Sequence, residues 1–240
     1  MATYYSPKII TDGLVFCIDA GNPKSYGNPS GGVSAYDLVN FPNSSTYQTG
    51  WIGSRNANNI VDNVACFNID PGLGTGGISF PISPSAAYTF GNDHTIITWA
   101  RVRNNSGAYR MLLQTNPDIS LLYMYPIAVL TSANTLGFAG NSGFVSCNLN
   151  VSTMGVITKW AMYTLVGTGG TSSKIYVNGT TFIGSTVSGN ATGRSLYTWG
   201  NTAADSGPFG HVCSLMAYNR ALSETEINNV YQETRSRFRV

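Results

Sequence analysis

Lys174-Ile175-Tyr176-Val177-Asn178-Gly179-Thr180-Thr181-Phe182-Ile183 decides the fold class. Two runs of β-branched and aromatic residues flank an Asn-Gly pair. Asn and Gly accept the positive φ of a type I′ turn, so the stretch predicts a β-hairpin. Outward from it, similar runs recur: Gly13 to Asp19, Asn63 to Ile69, Gly76 to Pro81, Thr95 to Val102, Arg110 to Thr115 and Ile119 to Tyr123. Ala128 to Thr131, Thr135 to Ala139, Trp160 to Val166, Arg194 to Trp199 and Gly210 to Tyr218 complete the series. Residues 24–60, rich in Gly, Ser, Asn and Pro, read as long loops with little regular structure. About a dozen strands without interposed helices predict an all-β fold, an antiparallel β-sandwich of two sheets. Alternation along such strands puts apolar residues inside and Thr, Ser and Asn toward water.

Composition agrees. Of 240 residues, 25 are Ser, 24 Thr, 23 Asn and 27 Gly, while charged residues make up only 10%. Only three Glu occur, at 224, 226 and 233, all near the C-terminus. Helices draw on Glu, Lys and Ala, so an all-helical fold is a poor reading. No apolar run reaches the ~18 residues of a membrane span, and the first residues lack the pattern of a signal peptide. A net charge of +2 gives no case for nucleic acid. The four cysteines, Cys17, Cys66, Cys147 and Cys213, are far apart in sequence and read as buried thiols.

One helix is predicted, over 223–234. Ser223-Glu224-Thr225-Glu226 is a capping box, with Leu222 and Ile227 at the staple positions. Ile227, Val230 and Tyr231 form its apolar stripe. It is expected to pack outside the β core. Residues 1–12 read as an N-terminal arm and 13–240 as a single domain.

Longer motifs add a resemblance. Gly13-Leu14-Val15-Phe16-Cys17-Ile18-Asp19-Ala20-Gly21-Asn22-Pro23-Lys24-Ser25-Tyr26 looks like an opening strand with a "DAGNPKSY" turn, and Tyr36-Asp37-Leu38 like a "YDLS" stretch. Thr95 to Val102 is similar to a "TISAWVK" strand, Trp160 to Gly167 to "WYHIVGTYDG", and Lys174 to Gly179 to "KIYVNG". Met216-Ala217-Tyr218-Asn219-Arg220-Ala221-Leu222-Ser223, with Glu226-Ile227, resembles a closing "IYNRALSxxEI". Together these resemble the concanavalin A-like lectin/glucanase superfamily, in its laminin-G-like jelly-roll branch. Phe67-Asn68-Ile69-Asp70 departs from the branch's "FDG", and residues 39–60 depart from its usual opening region.

The resemblance extends to virion proteins of tailed bacteriophages. It implies a non-enzymatic virion structural protein, a capsid decoration protein that binds neighbouring virion subunits, with glycan binding as a further capacity. The alternative is a carbohydrate-binding adhesin on the phage tail or fibre, and the third reading a glucan hydrolase. The implied partners are phage capsid or other virion proteins and host-surface glycans. A homo-oligomer is a candidate state, and neither nucleic acid nor membrane insertion is expected. The implied location is the virion, assembled in the host cytoplasm.

Residue chemistry favours binding over catalysis. A retaining glucanase holds two carboxyls about 5–5.5 Å apart, and no ExDxE pattern supplies them. Gly72 to Gly77 satisfies GxGxxG formally, but the β-like Ile78-Ser79-Phe80-Pro81 follows where a helix is required. No zinc-ligand spacing occurs around His94 or His211. No cofactor is expected. Calcium is the one candidate ion, with Asp19, Asn22 and Asp70 as candidate ligands. Trp51 and Trp199, expected in a loop and at a turn, are the candidate glycan- or partner-binding aromatics, whereas Trp99 and Trp160 fall on core strands.

Overall fold

A computed structural model describes residues 9–22, 24–25, 37–39, 50–52, 59–68, 76–79, 88–103, 109–116, 124–130, 133–140, 143–201, 207–208 and 210–240. In chain order the strands are β1 (Leu14–Asp19), β2 (Gly50–Ile52), β3 (Asn59–Val61), β4 (Val64–Asn68), β5 (Gly76–Ser79) and β6 (His94–Val102). They continue with β7 (Tyr109–Asn116), β8 (Met124–Leu130), β9 (Thr135–Gly140), β10 (Gly143–Asn150), β11 (Trp160–Thr168) and β12 (Ser172–Val177). The last are β13 (Phe182–Ile183), β14 (Val187–Ser188), β15 (Ser195–Asn201), β16 (Gly207–Pro208) and β17 (Gly210–Tyr218), followed by one helix, α1 (Glu224–Phe238).

Two sheets form. The first runs β13-β12-β11-β6-β17-β4-β3, with β14 also on β12. β1 and β4 share one edge of β17: Leu14 to Asp19 pair with Tyr218 back to Ser214, and Phe67 and Asn68 with Val212 and His211. The second sheet runs β10-β9-β8-β7-β15-β5-β2. All pairings are antiparallel except the two-residue β16, which lies parallel to β7. A single core cluster joins the sheets, including Phe16, Ile18, Ile96 and Leu165 from the first and Leu112, Leu136, Phe138 and Leu196 from the second.

The Asn-Gly hairpin forms, with a longer loop than two residues. Val177 pairs with Phe182, leaving residues 178–181 as the turn. Asn178 and Gly179 take φ of +54° and +66°. Tertiary contacts fix this turn. The Asn178 side chain accepts from the Met162 amide at 3.0 Å, and the Asn178 amide donates to the Met162 carbonyl at 2.9 Å. A Cβ on Gly179 would meet Asn228 Oδ1 at 2.8 Å and Tyr231 Cβ at 3.1 Å, so glycine is also needed to let α1 approach.

Strict alternation holds poorly in the first sheet. Along β6 every residue but Arg101 is buried, and along β11 every residue but Thr168. The reason is a third layer. α1 covers the outer face, so these strands have no solvent side. Trp99 stacks on Phe238 at 3.9 Å and 7°, and on Tyr231 at 5.9 Å and 18°. Its indole N–H donates to Thr234 Oγ1 at 3.0 Å, and that hydroxyl donates to the Val230 carbonyl at 2.6 Å.

The helix begins as the sequence predicts. Ser223 Oγ accepts from the Glu226 amide, and the Glu226 carboxylate accepts from the Ser223 amide at 2.8 Å. Two Arg220 nitrogens bind the same carboxylate at 2.6 and 3.1 Å, and with the Ser223 amide they hold its pKa down at about 2. The helix runs past the expected end at 234 to Phe238, because its last turn is held by the Trp99 stack and by an Arg237–Asp19 ion pair of 2.7 Å.

Three expectations change. Residues 24–60 contain β2 and the start of the β3–β4 hairpin. β10 is a further strand, hidden in the sequence because Asn148 at φ +61° breaks its alternation and shifts the register between Ser146 and Leu149. The arm also joins the fold earlier than residue 13: Ile9 and Ile10 pack on the core, and Asp12 pairs with Arg220 at 3.0 Å. The expected strand over 119–123 lies outside the described residues.

Phe238→Ala should cost about 3–5 kcal/mol, the usual range for truncating a buried aromatic. Urea unfolding measures it, and a loss under about 1 kcal/mol would show that α1 is not a structural layer.

Candidate functional site

The calcium candidates do not converge in the described residues. Asp19 Oδ2 is bound by Arg237, and its Oδ1 accepts from the Gly21 amide at 2.8 Å. Asn22 Oδ1 accepts from the Lys24 amide at 3.0 Å, closing its own turn. Asp70 lies outside the described residues. No group of three or more metal-ligating side chains occurs among the described residues.

Trp51 and Trp199 lie on strands, not in the loop and turn expected of them. Both stand opposite Ile78, from the two strands that flank β5, and Trp199 also stands opposite Leu113 of β7. One register row thus brings together residues separated by most of the chain. The side chains of both tryptophans lie outside the described part of the structure. Trp99 and Trp160 are buried under α1.

Carboxylates could drive hydrolysis, but seven of the eight described act as anchors. Asp12 and Glu226 bind Arg220, Asp19 binds Arg237, Asp62 binds Arg101 and Glu224 binds Lys174. Asp37 accepts from the Cys17 and Val39 amides, and Asp93 from the Gly169 amide. Each therefore ties two parts of the chain together. Glu226, held at about 2, stays ionised at neutral pH and cannot serve there as a general acid. Thiol chemistry is equally suppressed. All four cysteines are buried, and burial pushes Cys17 and Cys66 up to about 12, Cys147 up to about 11, and Cys213 well above its ordinary value.

A polar platform at one end of the sandwich is the feature the sequence did not single out. Three segments meet there: 88–94, 168–172 and 189–195. The Gly169 amide donates to Asp93 Oδ1 at 2.9 Å, and the Gly170 amide to the Asn92 carbonyl at 3.1 Å. The Asn190 side chain donates to the Asn92 and Ser172 carbonyls and accepts from the Thr192 amide at 2.6 Å. The Gly193 amide donates to the Phe90 carbonyl at 2.7 Å, and Thr89 and Ser195 hydroxyls meet at 3.0 Å. Asn92 and Asp93 are exposed beside the half-buried Tyr88, whose ring packs edge-on against Phe90 at 4.9 Å. An aromatic ring beside fixed amides and hydroxyls suits a polyhydroxyl or peptide partner. Its only trace in the sequence is the turn-forming Gly91-Asn92-Asp93 before β6.

Two buried basic residues lie inside. His94, under this platform, is fully buried; its Nδ1 lies 2.9 Å from the Gly91 carbonyl, while Nε2 meets no partner. Its ring lies flat over Gly167, where any Cβ would collide with it. Burial pulls the imidazole pKa below its ordinary 6.5, against the opposing pull of Gly91 and Asp93. Arg110, also fully buried, donates to the Arg103 carbonyl at 2.5 Å and to Asn134 Oδ1 at 2.7 Å, clamping the loops that follow β6 and precede β9.

Two antiparallel sheets around one core define a lectin-like β-sandwich. The chain belongs to the concanavalin A-like lectin/glucanases superfamily, whose laminin G family model matches residues 74–228. No curated protein matches the sequence. Solved structures share the fold at low identity. Trypanosoma rangeli sialidase aligns at TM-score 0.64 and 17% identity over 95% of this chain, which spans 33% of the sialidase. Domain 4 of AbnA, a GH43 extracellular arabinanase from Geobacillus stearothermophilus solved with arabinotriose, aligns at 0.61 and 15%, covering 91% of this chain and 98% of that domain. The receptor-binding domain of a botulinum neurotoxin C/D mosaic serotype aligns at 0.62 and 13%, covering 93% of this chain and 52% of that one.

The buried imidazole makes stability pH-dependent. Because its folded pKa lies below the unfolded value, His94 contributes full stability above pH 6.5, lost progressively as the pH falls below it. Thermal unfolding across this range should show the decline, and H94N should flatten it while lowering stability overall; an equal slope in both proteins would contradict the assignment.

Proposed function

We propose that this protein is a non-enzymatic virion structural protein of a tailed phage, a capsid decoration protein that grips neighbouring virion subunits and has the capacity to bind glycans. The observation that carries the non-enzymatic part is the commitment of carboxylates to structural pairs. Seven of the eight described carboxylates, all but Glu233, hold an amide or a cation. The phage context is supported by the opening turn at Asp19 to Tyr26 and the closing Tyr218-Asn219-Arg220-Ala221-Leu222.

Geometry supports a division of surfaces. α1 occupies the outer face of the first sheet, so partners meet the loops, the platform at Tyr88, Asn92 and Asp93, and the second sheet. The arm before Ile9 is the natural contact with neighbouring virion subunits, because Ile9, Ile10 and Asp12 already anchor its base to the sandwich. The second reading, a carbohydrate-binding adhesin of the tail or fibre, is favoured by the structural neighbour solved with arabinotriose. Under either reading the protein resides in the particle and is assembled in the host cytoplasm.

Electron microscopy of intact particles tests the assignment. Density for this sandwich on the head is expected for decoration, density on the tail for the adhesin, and absence from particles overturns both. Deleting residues 1–8, which spares the anchored base, should abolish incorporation; normal occupancy sinks the arm-contact idea. A glycan array tests sugar binding separately: Tyr88→Ala, Asn92→Ala, Trp51→Ala and Trp199→Ala distinguish the platform from the tryptophan row. Binding no stronger than background removes the glycan capacity, and binding unchanged in all four variants removes both the platform and the tryptophan row as its site.

A further inference from the structure

We propose that Cys66 and Cys213 form a latent disulfide, closed by exchange with a small-molecule disulfide, that staples the β3–β4 edge hairpin to the central strand β17. None of the four cysteines is in a disulfide in the structure, and all are buried. The register singles out one pair. Asn68 faces His211 and Phe67 faces Val212, which makes Cys66 and Cys213 the next residues along the two paired strands. A disulfide spans Cα atoms about 4.4–6.8 Å apart, a separation that local opening at the end of this pairing lets the two residues reach.

Their environments place both thiols on the helix-facing side of the first sheet. Cys213 Sγ accepts from Arg237 Nη2 of α1 at 2.8 Å. Cys66 lies near Arg101, whose cross-strand neighbour Trp160 packs on Phe238. A charge on Cys66 acts on Cys213, as expected of thiols in one pocket. The other cysteines lack such a neighbour. Cys17 stands opposite Met216, and Cys147 lies in the second sheet, donating to the Leu136 carbonyl.

The site is also a seam. Among the described residues β4 pairs with β17 at two positions, and β1 takes the same edge from Asp19–Ser214 onward; Cys213 is the junction, with its carbonyl accepting from the Ala20 amide at 2.8 Å. The register of β17 against β6 shifts at this point too. A short pairing at an edge is where local opening is least costly, and opening admits the oxidant. Burial disfavours the Cys213 thiolate in the closed protein, so exchange waits on opening, after which Cys213 attacks the small disulfide as its thiolate and expels one thiolate. Cys66 then attacks the mixed disulfide and expels the second. The two cysteine protons pass to the two released thiols, so one small disulfide is reduced as one protein disulfide forms. The bond encloses residues 66–213, a long loop whose closure restricts the unfolded chain.

The test uses the full-length native protein incubated with oxidised glutathione, then alkylated in denaturant and analysed by mass spectrometry. The expected result is a loss of two hydrogens, two unalkylated cysteines, and a peptide linking Cys66 to Cys213, with a raised thermal midpoint that dithiothreitol reverses. C17S and C147S should keep the link. C66S should instead carry glutathione on Cys213, and wild-type peptide mapping decides the matter even if that variant does not fold. A link between any other two cysteines, glutathione adducts without a link, or no reaction of the native protein overturns the proposal.

Discussion

The stack of Phe238 on Trp99, at 3.9 Å, is the contact on which the rest of the molecule leans. It seats a helix on the outer face of a sheet and turns a two-layer sandwich into three layers. β6, β11 and β17 are then buried on both faces, which explains why they carry His94, Thr95, Thr98, Thr164 and Ser214 inside as well as apolar residues. Buried hydroxyls are tolerable where they find partners. Thr95 does so, donating to the Arg220 carbonyl and accepting from the Leu222 amide at 2.9 Å each, and thereby sets where α1 starts.

The same helix organises the scarce charges. Glu224 reaches Lys174 and Tyr176 on β12, Glu226 reaches Arg220, and Arg237 reaches Asp19 on β1. These pairs are partly exposed, and their individual worth is modest. Their effect is registration: Glu224 and Arg237 fix the two ends of α1 over β12 and β1, and Glu226 fixes its start to the segment that follows β17. A chain with few charges has used them as pins. That use suits a protein that holds a partner.

The local code was readable where a few adjacent residues carry the instruction. Asn178-Gly179 gives a hairpin and Ser223 to Glu226 a helix start because both depend on local hydrogen bonds and φ preferences. β10 was not readable, since its bulge at Asn148 breaks the alternation and its burial comes from distant Gly184 packed against Cys147. The same limit hid β2 and β3, three-residue strands whose partners lie elsewhere in the chain. The platform of Asn92, Asp93, Asn190 and Thr192 was hidden because residues about 100 apart in sequence build it.

By itself, the sequence determined the all-β class, the hairpin, the terminal helix and the superfamily, because turns, caps and strand periodicity are local properties. Only the tertiary structure decided that the calcium candidate Asp19 is the partner of Arg237, that Trp51 and Trp199 share the register row of Ile78, and that Cys66 approaches Cys213. Each is a meeting of strands far apart in the chain. Such meetings follow from sheet order and register, which short-range preferences do not encode.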